Sequence, residues 1–407
     1  MNRHVLFLTV LTALIARPAW AETKTYDITV AAGEQERTNY PVCVLLPAGL
    51  AKAQSAVVVD AAGTALPAQL TGPALLAKAP GADDPAAREL HFLLPSLKAG
   101  QTASFKATVS TDPPAKSDGF AWHDTKGEHM ELKFGARPVL RYMYGYDEST
   151  KERREITYKI YHHLYDPDGQ AFVTKGPGGL YPHHRGLYFG FNNISYDGKK
   201  ADIWHCNKNE HQTHEKFLAS EAGPVLGRHR LEIHWWGQNK DIFAKEEREL
   251  TVYNVPGGVL VGFAARLRST GSKIKLDGDP QHAGFQFRAS QEVAEKTATK
   301  TYYLRPDGVG KPGETKQGGD YPWKGMSFVL GGQRLTAVYL DKPTNPKPAQ
   351  YSEREYGRFG SYFVAEVTPE KPLEVNYRVW LQKGEMKSDE IAAASGNFVK
   401  PVEVKVK

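Results

Sequence analysis

Arg230-Leu231-Glu232-Ile233-His234-Trp235-Trp236, Leu250-Thr251-Val252-Tyr253 and Val259-Leu260-Val261-Gly262-Phe263 decide the fold. β-Branched and aromatic residues crowd these runs, and such residues suit a pleated surface. The same pattern extends outward in both directions. Upstream lies Val139-Leu140-Arg141-Tyr142-Met143-Tyr144. Downstream lie Ala283-Gly284-Phe285-Gln286-Phe287-Arg288, Leu335-Thr336-Ala337-Val338-Tyr339-Leu340 and Leu373-Glu374-Val375-Asn376-Tyr377-Arg378-Val379-Trp380. Helical spacing is scarce, and only 388–395 reads as a short helix. Residues 120–407 are too long for a simple Ig-like unit. They predict a large antiparallel sandwich of two sheets.

Residues 22–112 predict a second, smaller β-sandwich. Thr25-Tyr26-Asp27-Ile28-Thr29-Val30, Tyr40-Pro41-Val42-Cys43-Val44-Leu45-Leu46, Ala56-Val57-Val58-Val59-Asp60, Leu90-His91-Phe92-Leu93-Leu94 and Ala103-Ser104-Phe105-Lys106-Ala107-Thr108-Val109 are its strands. The Pro- and Gly-bearing stretch 113–119 reads as a linker. The fold class is therefore all-β. Ahead of it, Arg3 and His4, the apolar run 5–16 and Ala19-Trp20-Ala21 form a basic start, a hydrophobic segment and an A-x-A site. This predicts a signal peptide over 1–21 and a periplasmic or secreted protein. The apolar run is shorter than the ~20 residues a spanning helix needs, and no later stretch is long enough.

The net charge is +6, and loss of Arg3 and Arg17 with the leader leaves +4. Basic and acidic residues alternate, as in Lys245-Glu246-Glu247-Arg248-Glu249. No basic stripe with interleaved aromatics argues for nucleic acid as a partner. Two cysteines, Cys43 and Cys206, fall in different predicted domains, and their pairing stays open.

Histidine carries the chemical information. Most of the 14 lie between His123 and His234, densest in Tyr181-Pro182-His183-His184-Arg185-Gly186 and Asp202-Ile203-Trp204-His205-Cys206. Imidazole moves protons near neutral pH and ligates transition metals. Arg185 offers a planar fork for a carboxylate. In an extended segment His183 and Arg185 would share a face and His184 would turn away. One shared cleft is expected to hold His183, His184, Arg185 and His205, bordered by Tyr142, Trp204 and His282, the last brought by Asp279-Pro280-Gln281-His282. Glu353 and Glu355 supply loop carboxylates, and either is more commonly a surface ion-pair partner. His211 and His214 read as members of a solvated loop, and His162-His163 as structural. No G-x-S-x-G, P-loop, H-E-x-x-H or EF-hand spacing occurs. The cofactor is unassigned, and a divalent metal stays open.

Tyr181-Pro182-His183-His184-Arg185-Gly186-Leu187-Tyr188-Phe189-Gly190 and Ala201-Asp202-Ile203-Trp204-His205 carry a resemblance. So do Pro138-Val139-Leu140-Arg141-Tyr142 and His163-Leu164-Tyr165-Asp166-Pro167-Asp168-Gly169. Over roughly residues 130–385 the chain resembles a secreted bacterial family labelled "methane oxygenase PmoA family". A methane monooxygenase subunit is an integral membrane protein, and no stretch here is long enough to match that label. The resemblance implies a galactose-mutarotase-like supersandwich and a carbohydrate substrate. Three functions remain open. One is a glycoside hydrolase or lyase. A lyase would use a histidine with Tyr142 and Arg185. A hydrolase would use Asp202 with Glu353 or Glu355 as its two carboxyl groups. The second is a non-catalytic carbohydrate-binding or surface protein. The third is a metal-dependent oxidoreductase, which requires at least three histidines or acids to converge on one ion.

Overall fold

Alternation along the chain becomes layers in space. The computed structural model describes residues 21–47, 52–84 and 86–407. The expected leader lies, but for Ala21, outside the described residues. Gly258–Ser269 and Leu373–Lys383 bury nearly every second side chain, because only one face of their sheet meets the core. They are neighbours in a nine-stranded antiparallel sheet that runs from His211–Ala222 through Leu226–Trp236 and Ile242–Tyr253 to Gln333–Asp341 and Trp323–Leu330. An eight-stranded antiparallel sheet faces it. At its centre lie Arg358–Tyr362, Ala283–Arg288, Leu187–Phe191 and Tyr161–Leu164, all fully buried. The odd-numbered side chains of Arg358–Tyr362, Ala283–Arg288 and Leu187–Phe191 reach the nine-stranded sheet, as does the even-numbered His162, which pairs with Leu187. Phe285 stacks on Phe263 at 4.1 Å, and Phe189 meets the same ring at 6.0 Å. In those three strands the even-numbered ones, Tyr188 and Gln286, point to the opposite face, where loops cover them. That covered face carries the candidate site.

The N-terminal strands form a five-stranded and a three-stranded sheet around a separate core that includes Ile28, Val30, Val42, Phe92 and Val109. One boundary needs correction. Glu403–Val406 was assigned to the large unit, but it pairs antiparallel with Thr23–Ala31, Ile28 opposite Val406, and so completes the small unit. The expected short helix spans Ser388–Val399 and delivers the chain back to that strand. Residues 113–117 carry neither strand nor helix. The two cores meet across polar contacts. Arg228 binds Glu89 at 3.3 Å, Glu221 accepts from the Gly72 N–H at 2.6 Å, and the Gln69 side-chain oxygen accepts from the N–H groups of Val225 and Leu226. No described helix is long and apolar enough to cross a membrane. Cys43 and Cys206 are both free thiols.

Candidate metal centre and its cleft

Two copies of one local device build the site. In Asp202-Ile203-Trp204-His205 the Asp202 Oδ1 accepts from the N–H groups of Trp204 and His205 at 2.9 and 2.8 Å. In Asp279-Pro280-Gln281-His282 the Asp279 Oδ1 accepts from the N–H of Gln281 at 2.8 Å. Both are turns closed by an aspartate side chain. Each then offers its Oδ2 to the histidine three residues on, at 2.7 Å for His205 Nδ1 and 3.0 Å for His282 Nδ1. An Nδ1–H held by a carboxylate leaves Nε2 as the free lone pair, which is the arrangement of a metal-bound imidazole. Burial would raise the Asp279 carboxyl, but hydrogen bonds from His282 and the Gln281 N–H outweigh it and hold it well below the carboxylate range.

The third element is the turn before Leu187–Phe191. His184 N–H donates to Tyr181 O at 3.0 Å, and Tyr181 takes a φ of 52°. This corrects the extended reading of 181–186. A turn does not alternate its side chains, so His183 and His184 enter the same cleft. Gly186 closes the motif because a Cβ there would lie 2.3 Å from the carbonyl oxygen of His162. Ring centroids of His183 lie 4.5 Å from His184, 4.6 Å from His205 and 5.4 Å from His282, and His205 lies 4.8 Å from His282. One ligating nitrogen from each of His183, His184 and His282 falls within 4.8 Å of the others. A second such trio, Cys43, Glu89 and His91, has its carboxylate engaged by Arg228.

Burial, with the nearby Lys159 ammonium, pulls the His183 imidazole down to about 2. Burial and the Arg358 guanidinium push His184 well below its usual range. Both rings are therefore neutral near pH 7, with lone pairs free. His183 Nε2 is buried without a hydrogen-bond partner among the described residues. The neutral His183 and His184, packed against two imidazoles that are each backed by an aspartate, fit a cation at the centre better than they fit each other.

The cleft over these rings measures about 460 Å³ and is lined also by Tyr181, Gln281, Thr315, Arg354, Glu355 and Tyr356. A cavity of about 690 Å³ adjoins it, with His183 and His205 common to both. Arg185 lines that second cavity, not the first. Its guanidinium donates to Glu155 O at 3.0 Å and to His184 O at 3.3 Å.

Two expected members, Tyr142 and Glu353, lie elsewhere, and a third, Trp204, borders the cleft from below. Tyr142 is fully buried, and its hydroxyl lies 3.1 Å from His214 Nδ1 in another histidine group. Trp204 is buried beneath the cleft, edge-on to Tyr188 at 5.1 Å and to His184 at 5.7 Å. It is floor packing and not a sugar-stacking face. Glu353 is fully buried between Arg305, at 2.6 and 2.7 Å, and Lys324, at 2.8 Å. Its role is to neutralise two buried cations. Glu353→Gln is expected to cost about 3–5 kcal/mol in urea unfolding, against roughly 0.5 kcal/mol for Glu355→Gln. Equal costs would overturn that assignment. His211 stacks between Tyr146 and Trp236 and is structural. Glu353, enclosed by its two cations, is removed from the carboxylate pair expected for a hydrolase, whereas Glu355 lines the cleft and Asp202 is engaged at both oxygens. Asp279, Tyr181 and Tyr356 were missed as site residues. The repeated Asp-x-x-His spacing was the signal for the first.

A family profile described as "Family of unknown function (DUF6807)" matches residues 129–395. The sequence matches no curated protein. Among solved structures, an alpha-mannosidase from Enterococcus faecalis V583 aligns over 94% of this chain and 46% of its own length, at 10% identity and a TM-score of 0.47. A putative mutarotase from Salmonella typhimurium aligns over 65% of this chain and 94% of its own, at 9% identity and a TM-score of 0.35. The chain thus spans less than half of the mannosidase, and similarity at this level carries no argument about activity.

Proposed function

This chain belongs to that family of unknown function (DUF6807), and we propose that it is a metal-dependent enzyme acting on carbohydrate in the four-histidine cleft. One observation carries the metal: His205 and His282, each held through Nδ1 by an aspartate, turn toward the neutral His183 and His184. An all-imidazole donor set suits zinc, copper, nickel or iron rather than calcium or magnesium. His183, His184 and His282 are the ligands, with His205 as a fourth ligand or as the proton-transferring group beside them. A bound divalent ion supplies Lewis acidity and lowers the pKa of a coordinated water. The carbohydrate substrate is supported by the resemblance around His183-His184-Arg185-Gly186 and by the partly exposed Tyr181 ring, which sits 4.8 Å from Tyr356 at the cleft wall.

With Asp202 held at both oxygens and Glu355 left as the one cleft carboxylate without a hydrogen-bonded partner among the described residues, the reading favours a lyase, or hydrolysis assisted by the metal, over hydrolysis by two carboxyl groups. The test is the purified chain, loaded with zinc, copper, nickel or iron in turn, incubated with plant and algal glycans with and without chelator. Product release that chelator abolishes and one metal restores is the expected result. An unsaturated product identifies elimination, a saturated one hydrolysis, and an oxidised one would move the assignment to an oxidoreductase. Metal content below one equivalent under all loadings, or turnover unaffected by chelator, would overturn the proposal.

A further inference from the structure

Five buried cations lie behind the walls of the cleft and its adjoining cavity, and none of them meets a carboxylate in an ion pair among the described residues. Lys159, Lys175, Arg185, Arg288 and Arg358 are each at most 2% exposed. Every hydrogen bond they donate goes to a neutral oxygen. Lys159 donates to His183 O at 2.5 Å, and Lys175 to the carbonyls of Gly176 and Gly178. Arg288 donates to Ala289 O and Tyr356 O, and Arg358 to Gln281 O, Gln286 Oε1 and Ser352 Oγ. Arg185 binds only the two backbone carbonyls described above. Nitrogens are left over: Arg185 Nε, Arg288 Nε and Nη2, and Arg358 Nε are buried without a partner.

Buried cations elsewhere in the chain are treated differently. Arg228 meets Glu89 and Glu221, Arg248 meets Glu246, and Arg305 and Lys324 share Glu353. Arg37, also buried and without a carboxylate, has all three guanidinium nitrogens engaged by Ala32 O, Asn397 Oδ1 and Lys400 O. Unbalanced positive charge is thus concentrated around the cleft. It reaches the cleft through the carbonyls of lining residues: His183, Gln281 and Tyr356 each accept from one of the five. Arg354 lines the cleft itself, and Arg154 lines the adjoining cavity beside Arg185. Asp202 and Asp279 are already spent on His205 and His282, which leaves Glu355 as the one further carboxylate lining the cleft among the described residues, against these five cations and Arg354.

An uncompensated buried charge is strongly unfavourable. An anion arriving in the low-dielectric cleft relieves several such charges at once. We infer that the cleft recognises a saccharide by an oxyanion substituent, a carboxylate or a sulfate, held within the field of Arg185, Arg288, Arg358, Lys159 and Arg354. This inference rests on the cleft being a carbohydrate site.

The test uses calorimetric titration of the metal-loaded chain with four probes at fixed ionic strength: a galacturonate trisaccharide, a sulfated galactan disaccharide, a neutral galactotriose and inorganic phosphate. Either anionic sugar should bind roughly 10- to 100-fold tighter than the neutral one, the scale of one charge-assisted hydrogen bond. Whichever anionic sugar binds tighter identifies the substituent. Lys159→Met should lose about 10-fold of that preference while the ligand-free protein melts at a higher temperature, because a strained charge has been removed. A merely structural lysine would lower the melting temperature instead. Arg354→Gln, at a less buried position, repeats the affinity test should Lys159→Met fail to fold. Equal binding of anionic and neutral sugars, or no sugar binding at all, overturns the inference. Phosphate binding as tightly as the best sugar overturns the saccharide part of it. Metal content measured on the same samples separates the two claims. Full metal occupancy without anion preference sinks this inference alone, and anion preference without metal sinks only the metal reading.

Discussion

His282→Ala is expected to weaken zinc binding by roughly 10²- to 10³-fold, while Asp279→Asn weakens it by only about 10- to 100-fold. The first figure follows from sharing the ~10–16 kcal/mol of a structural zinc site among three or four ligands, which puts about 3–4 kcal/mol on each. The second is the usual cost of losing the partner that orients a ligating histidine. Asp279 fixes both the tautomer and the direction of the His282 ring through Nδ1. An asparagine in its place presents either an oxygen or an NH₂ to Nδ1, so it permits the wrong tautomer without deleting the ligand. Asp202→Asn tests the parallel device at His205, and its effect tells whether His205 is a ligand. Competitive titration against a chromophoric chelator measures all three variants. The ordering is the diagnostic part. A His282→Ala protein that binds zinc as tightly as the parent excludes His282 as a ligand and dissolves the centre. His282 is only partly buried in a loop between Ile274–Asp277 and Ala283–Arg288, so the substitution leaves the core intact and the readout is not confounded by unfolding.

How much of this was legible in the sequence depends on whether the information was local. The period-two burial of Gly258–Ser269 is written in its own residues, and so is the all-β class. Glu403–Val406 is not. Four residues that alternate charge with valine give no hint of their partner, which is Thr23–Ala31 at the other end of the chain. His183, His184 and His205 were visible as an unusual density of imidazole. That both members of the His183-His184 pair face one cleft depends on the Tyr181 turn, which strand alternation could not foresee. Tyr142 looked like a site residue because it lies in a segment with a family resemblance. Its position under three other rings, those of His162, His214 and His229, comes from strand pairing across the sheet. The Asp-x-x-His spacing stood in the sequence twice and was a local signal. The unpaired cations were beyond reach, since a lysine or arginine reads as solvated until the tertiary structure encloses it.

Acid unfolding beginning near pH 6.5 is expected from that second histidine group. His162 and His229 are fully buried, with Nε2 to Nε2 at 3.0 Å. One ring must donate and the other accept, so the pair is stable only with both rings neutral. Burial, reinforced for His162 by His229 and Arg248, pushes His162 well below its usual range, and burial brings His229 down to about 3. His163, close by in the same strand and also enclosed, is brought down to about 3. In the unfolded chain all three titrate near 6.5. Because the folded values are lower, the stability is complete above pH 6.5. It is lost as pH falls, since the unfolded chain takes up protons that the folded chain refuses. Each such histidine contributes about 1.4 kcal/mol per pH unit below that point, so His162 and His229 together remove about 4 kcal/mol by pH 5. A domain with ~5–15 kcal/mol of stability feels that strongly. Ordinary carboxylates titrate lower, near 4, so the window from 6.5 to 5 isolates the histidines. Urea unfolding at half-unit pH steps should show stability falling by two or more protons' worth per unit across that window. In a His162→Leu, His229→Leu variant the slope should drop by about two protons. A stability that stays level from pH 7 to 5 in the parent would mean that these imidazoles take up protons in the folded protein, and the buried neutral pair would have to be abandoned.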